Sequence, residues 1–152
     1  MYKNWVCADI FLTKSQNRCV FESSSGASTS SSKQNGAGLS WNIANTNEIA
    51  GNGIDDDNNG YIDDVNGWNT TSFNDVIATG NHGTQVSSMI GAKGDNSLGI
   101  TGVNWNVKIM QVDMGGVTEA NVITAYTYPL KMRRLYNQTG GAQGAFVVAT
   151  NS

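Results

Sequence analysis

The chain predicts an α/β domain: a mostly parallel sheet with flanking helices. Three observations carry this. "HGTQVSSMIGA" (82–92) has the apolar spacing of a helix. "VKIMQVDM" (107–114) and "GAFVVAT" (144–150) are short β-rich runs, and the stretch from Thr118 to about Tyr136 between them reads as a second helix. Helix–strand–helix–strand order implies a right-handed βαβ crossover. The 152 residues suit one domain on a prior of roughly 100–200 residues per domain.

Taken in chain order, residues 1–38 stand apart. "ESSSGASTSSSKQNGAG" (22–38) is rich in Ser, Gly and Thr without apolar periodicity, and what precedes it has no clear helix or strand pattern. The expected division is a poorly ordered or non-homologous segment 1–38 followed by an ordered domain over 39–152. In the first helix Val86, Met89 and Ile90 fall at i, i+3, i+4 and share one face. In the second, Ile123, Tyr126 and Leu130 are candidates for the core face. Pro129 is expected to kink or interrupt it, since proline lacks the N–H and crowds the preceding turn. Gly140 and Gly141 mark the turn out. "GAFVVAT" is nearly all apolar, as expected of a strand buried on both faces of a parallel sheet.

Composition narrows the function classes. Only 14% of residues are charged and the net charge is −3, so neither nucleic acid nor nucleotide is an expected partner. No apolar run approaches the roughly 20 residues of a membrane span, and the apolar stretch of "MYKNWVCADIFLTK" is short and interrupted by Asp9, a poor signal peptide. Cys7 and Cys19 allow one small disulfide but share no metal-ligand spacing with the single histidine, His82. The acids are unevenly spread. Six of the twelve, Glu48, Asp55, Asp56, Asp57, Asp63 and Asp64, lie between residues 48 and 64, which argues for a cation site.

"NGIDDDNNGYIDDVNGW" (52–68) makes that argument explicit. Asp55, Asp57, Asn59, Gly60, Tyr61 and Asp63 match positions 1, 3, 5, 6, 7 and 9 of the EF-hand loop, in which alternate side chains converge their oxygens, glycine permits a sharp turn and position 7 offers its carbonyl. The expected cation is calcium, held by Asp55, Asp57, Asn59, Tyr61 and Asp63. Position 12 is Asn66, not the bidentate glutamate, so Asp64 or a remote group has to complete the shell. The opposing reading is a solvated acidic turn.

"NHGTQVSSMIGA" (81–92) resembles the histidine motif of subtilisin-like serine proteases, H-G-T-x-V-A-G-x-I-G/A. "NEIAGNGIDDDNNGYIDDVNGWN" (47–69) is similar to the segment preceding that motif in members with an Asp-rich insert. "NSLGITGVNWNVKIMQV" (96–112) is similar to the N-x-x-G-[VI]-x-G-V-x-x-x-V-x-I-M-x-V stretch that follows it. The resemblance covers roughly 41–152 and implies a partial subtilisin-like peptidase domain, secreted and acting on polypeptides. It implies that His82 starts a helix and serves as general base towards a serine, with an aspartate holding its other nitrogen.

The departures matter as much. Gln85 replaces a histidine outside the catalytic set, and Ser87 and Ser88 replace Ala-Gly. No D-[ST]-G occurs, the family's aspartate motif, and Asp9 has the wrong neighbours to stand in for it. No G-T-S-M occurs either, and Asn151 and Ser152 resemble the end of an interior strand, not the oxyanion asparagine or the nucleophile. The expectation is therefore an internal piece of a serine endopeptidase, inactive alone, whose first 38 residues arise from a frame error. A non-catalytic calcium-binding module and a catalytically dead relative are the alternatives. Two sequons, at Asn69 and Asn137, fit secretion.

Overall fold

The computed structural model describes residues 18–23, 45–77, 81–92, 94–97, 99–105, 107–116 and 118–151, with the backbone alone for 18–23, Asn81, His82 and Thr84. In chain order these form strands β1 (Arg18–Ser23) and β2 (Gly67–Asn69), helix α1 (Asn81–Gly91), strand β3 (Lys108–Asp113), helix α2 (Glu119–Thr139) and strand β4 (Phe146–Asn151). The strands pair in parallel in the order β2-β3-β1-β4. Consecutive β3 and β4 thus flank β1, and α2 crosses over it from one to the other.

Strand β1 is the main departure from the sequence reading. It runs through the middle of the sheet, inside the stretch expected to be poorly ordered, with Val20 beside Ile109 of β3 and Ala149 of β4. The apolar run "CVF" is too short to show a period. Its strand character comes from backbone pairing on both edges, which no local pattern records. The rest of 1–38, including Asp9, Cys7 and any Cys7–Cys19 bridge, lies outside the described residues.

Alternation along β3 divides the core into two layers. Ile109 packs with Val107, Ile90 and Val86 of the α1 side, and Ala149 joins them from β4. Met110 and Val112 face the opposite way, into a cluster with Trp68, Ala125, Tyr128, Met132 and Val147. So α1 covers one face of the sheet and α2 the other. Between Cys19 and Val20 the register against β4 shifts by a residue. That bulge lets Val147 and Ala149 serve opposite faces although they are two apart.

Helix α1 buries a small-residue face. Ile90 is buried and Val86 half-buried as expected, but Met89 is 67% exposed. Gly83, Ser87 and Ser88 are buried instead. Close approach at Gly91, where a Cβ would meet Val107 Cγ1, explains the preference for small residues. The carboxyl end of α1 is closed by residues 102–104. Gly102 N–H donates to Ala92 O, Val103 N–H to Met89 O and Asn104 N–H to Ile90 O, satisfying the carbonyls a helix end leaves unpaired.

In α2 the expected face is corrected. Ile123 and Leu130 are exposed and Tyr126 is half-buried, whereas Ala125, Tyr128, Pro129 and Met132 are buried. The stripe is set by what Tyr128 reaches, described below, more than by apolar content. Pro129 does not interrupt the helix, which runs to Thr139 and closes at Gly140, in the left-handed region at φ 64°. Thr118 caps its start, the hydroxyl accepting from Asn121 N–H. Strand β4 is also less buried than expected. Only Val147 is fully inside, because among the described residues β4 pairs with β1 alone. No described helix is long and apolar enough to cross a membrane.

Candidate functional site

His82 is the second residue of α1. Ile90, two turns further on, shares a cluster with Val107 and with Ile109 of β3, against which Val86, one turn on, and Ala149 of β4 also pack. Those two strands flank β1, so the helix lies over β1. Its last residue, Gly91, contacts Val107 just ahead of β3. The histidine end of α1 is therefore directed towards the carboxyl ends of the strands, the edge at which α/β sheets place their chemistry.

That edge is tied together by polar groups. Asn69, ending β2, is buried. Its Nδ2 donates to Val76 O and to Asp113 Oδ2, and its Oδ1 accepts from the N–H groups of Thr71 and Ser72. Asp113, ending β3, also accepts from Gly115 N–H through Oδ1. Thr70 N–H and Oγ1 both donate to Asp113 O. These bonds hold the connection out of β2 against the end of β3. They also bury the first sequon asparagine, whereas Asn137 of the second is exposed on α2.

The acidic loop sits on the α2 side. Asp55 Oδ1 and Oδ2 accept from Asn59 and Gly60 N–H, Asp57 Oδ1 accepts from Asn59 N–H, and Asn59 Oδ1 from Tyr61 N–H. Gly60 turns the chain at φ 85°, the left-handed conformation that favours glycine. Of the residues expected to bind a cation, the loop brings Asp55 and Asp57 together. Asp63 is directed elsewhere, its two oxygens accepting from Asn52 and Gly53 N–H.

The third carboxylate is Glu48. One oxygen each from Glu48, Asp55 and Asp57 lie within 4.8 Å of one another, an arrangement that could hold a metal ion. Glu48 is buried. Its Oε1 accepts from Asp57 N–H and its Oε2 from Asp63 N–H, which brings it against the loop from outside the loop's spacing. An all-oxygen set suits a hard cation. Three carboxylates this close repel one another unless a cation intervenes. The loop's alternate-residue pattern could not point to Glu48. The sequence contained it only as one of the six acids clustered between residues 48 and 64 and within the wider similarity of residues 47–69, neither of which singles it out as a ligand.

Asp64 has a different task. It is fully buried, and its carboxylate accepts from Tyr128 Oη at 2.8 Å, from Asn45 Nδ2 at 2.8 Å and from Asn59 Nδ2. Burial pushes its pKa up to about 7, partly opposed by those hydrogen bonds. The same burial, with Asp64 nearby, raises the Tyr128 phenol well above its ordinary value. Tyr61 packs edge-on to both Trp68 and Tyr128 at 4.8 Å. The loop is thus riveted to α2 and the core by one buried carboxylate and three aromatic rings.

The comparison with known families matches residues 19–150 to the subtilase family, peptidase S8. The chain belongs to the subtilase family. The α/β arrangement described above is accordingly part of a subtilisin-like fold, and β1 falls within the matched region. The chain is 48% identical over 75 residues to subtilisin-like protease 1 of Plasmodium berghei (strain Anka), a match covering 47% of this chain and 12% of that protein. It is 43% identical over 68 residues to subtilisin-like protease 1 of Plasmodium vivax, covering 43% of this chain and 11% of that protein. The Plasmodium falciparum (isolate 3D7) protein of the same name is 41% identical over 68 residues and 10% covered. This subtilase chain spans about a tenth of the length of the curated relatives it matches.

Proposed function

We propose that these residues are the histidine-bearing part of a secreted serine endopeptidase, with His82 as its general base. The observation that carries the reading is the HGT motif opening a helix whose start is directed to the carboxyl edge of a parallel sheet, in a chain of the subtilase family. His82 takes the proton of a serine hydroxyl as it attacks the peptide carbonyl and returns it to the leaving amine. Polypeptides are the substrate class, as the relatives' name, protease, suggests.

We further propose that the acidic loop holds calcium, with Glu48, Asp55 and Asp57 as its carboxylates. Asn59, the Tyr61 carbonyl and Asp63 are the remaining candidates from the loop's spacing. When bound, the ion would neutralise the carboxylates and brace the loop; it takes no part in peptide cleavage. A calcium-dependent brace suits an extracellular protein, where the ion is plentiful, and the exposed sequon at Asn137 fits the same setting.

The 152 residues contain no G-T-S-M motif, so on their own they are expected not to cleave casein. The complete protein carrying them is expected to react with a fluorophosphonate, the serine-directed probe, and a His82→Ala variant to lose that labelling. A complete protein that folds, binds calcium and never labels would instead be a calcium-binding module or a dead relative.

A further inference from the structure

The chain carries a net charge of −3, yet three of its nine basic residues, Lys131, Arg133 and Arg134, fall within four positions of α2. They divide into two kinds. Arg133 is committed to the fold. Its Nη1 donates to Val147 O at 2.6 Å, its Nε to Asn137 Oδ1, and its guanidinium lies 3.8 Å from the centre of the Phe146 ring. Lys131 and Arg134 instead line a cleft of about 370 Å³ between the acidic loop and α2. We propose that this cleft binds a small organic phosphate, with Lys131 and Arg134 holding the phosphate and Leu130 and Leu135 its aliphatic body.

The lining is rich in donors and includes no carboxylate. Lys131, Arg134 and Gln138 fall at i, i+3 and i+7, one stripe along the helix, and Asn58 joins them from the loop. Among the described residues neither Lys131 nor Arg134 makes an ion pair. Lys131 Nζ stands 5.1 Å from the centre of the Tyr61 ring, which is uncharged. It also lies beside Gly60, where a Cβ would come within 2.5 Å of it, so the missing side chain leaves the ammonium its place at the loop. The neighbouring acids do not compete for these cations. Asp57 and Asp64 are buried, and both oxygens of Asp55 accept from the loop's own N–H groups, those of Asn59 and Gly60.

Two adjacent cations without a counter-ion call for a dianion. A carboxylate brings one charge and two oxygens, whereas a phosphate monoester brings about −1.5 to −2 and three acceptor oxygens. The planar fork of Arg134 can take two of those oxygens and the Lys131 ammonium the third. The remaining wall is apolar: Leu130 is 50% exposed and Leu135 is half-buried. The cleft falls within the roughly 300–1,000 Å³ of organic-ligand sites. No aromatic ring lines it, so it suits an aliphatic body better than a nucleotide base, in keeping with the composition.

Calorimetric titration of the complete protein with n-butyl phosphate tests the site, with inorganic phosphate and pentanoate for comparison. The expected result is that n-butyl phosphate binds more tightly than either. Lys131→Gln and Arg134→Gln are each expected to weaken it by about tenfold. Arg134→Lys keeps the charge but loses the fork, and is expected to weaken binding severalfold. Lys131 and Arg134 are exposed on α2, so these variants are expected to fold. Absent binding of n-butyl phosphate, or binding unchanged in both glutamine variants, overturns the proposal. Pentanoate or inorganic phosphate binding as tightly as n-butyl phosphate overturns the ligand class. An Arg134→Lys protein as tight as wild type would reduce the site to unspecific surface charge and overturn it equally.

Discussion

Asp64 shows most directly how one residue can govern a loop. Its pKa is raised from 3.8 to about 7, chiefly by burial. An acid whose folded pKa exceeds its unfolded one favours the fold when protonated. Its contribution is complete below the unfolded pKa and is lost as pH rises towards and through about 7. In calcium-free buffer the chain is therefore expected to lose stability between about pH 4.5 and about pH 8, and Asp64→Asn to flatten that part of the profile. Urea unfolding at the two pH values checks this; equal slopes in both proteins would remove Asp64 from the account. At this scale the sequence was partly legible. It grouped Asp55 with Asp57 because they obey a local spacing, and it left Asp64 open as a ligand. It could not show that Tyr128, 64 residues away, claims that carboxylate, nor that Glu48 arrives from outside the loop.

The elements tell a similar story about what periodicity can and cannot carry. Strand β3, both helices and the Gly140–Gly141 exit were legible because each has a local signature: a β-rich run, an N-terminal motif, a glycine able to take positive φ. The buried faces were not, since Tyr128 is chosen by its partners Asp64, Tyr61 and Trp68, while Ile123 and Leu130 are left outside. Strand β1 was missed because its identity lies in its neighbours. The end of α1 offers the sharpest test of an element-scale claim. A Cβ on Gly102 would lie 2.5 Å from Ala92 N and 2.7 Å from Gly91 N, and rigid backbone cannot yield as a side chain can. Gly102→Ala is expected to cost about 1–3 kcal/mol. Gly116→Ala, where the Cβ would meet only Asn121 Nδ2 at 3.8 Å, should stay within about 0.5 kcal/mol of wild type. Denaturant unfolding of the two variants settles the matter, and a neutral Gly102→Ala would mean that residues 102–104 are not packed against α1 as described.

For the molecule as a whole, the acidic loop and the histidine helix lie on opposite faces of one sheet, the loop against α2 and the catalytic candidate on α1. The loop thus lies on the face of the sheet opposite the helix that carries the proposed general base. Calcium is expected to raise the melting temperature in proportion to the logarithm of its concentration once the site is saturated. Glu48→Gln should weaken binding by at least about tenfold, since affinity follows the count of charged ligands. Calorimetric titration with calcium reads this directly, and an unaltered affinity in Glu48→Gln would return the site to the loop's own residues.

The central claim is that His82 is the proton carrier of a serine peptidase, and turnover of a peptide substrate by the complete protein tests it most directly. Losing the histidine alone costs subtilisin about 10⁶ in kcat, and a loss of that order is predicted for His82→Ala with the calcium-dependent melting temperature unchanged. Turnover within about tenfold of wild type in a folded His82→Ala protein would contradict it.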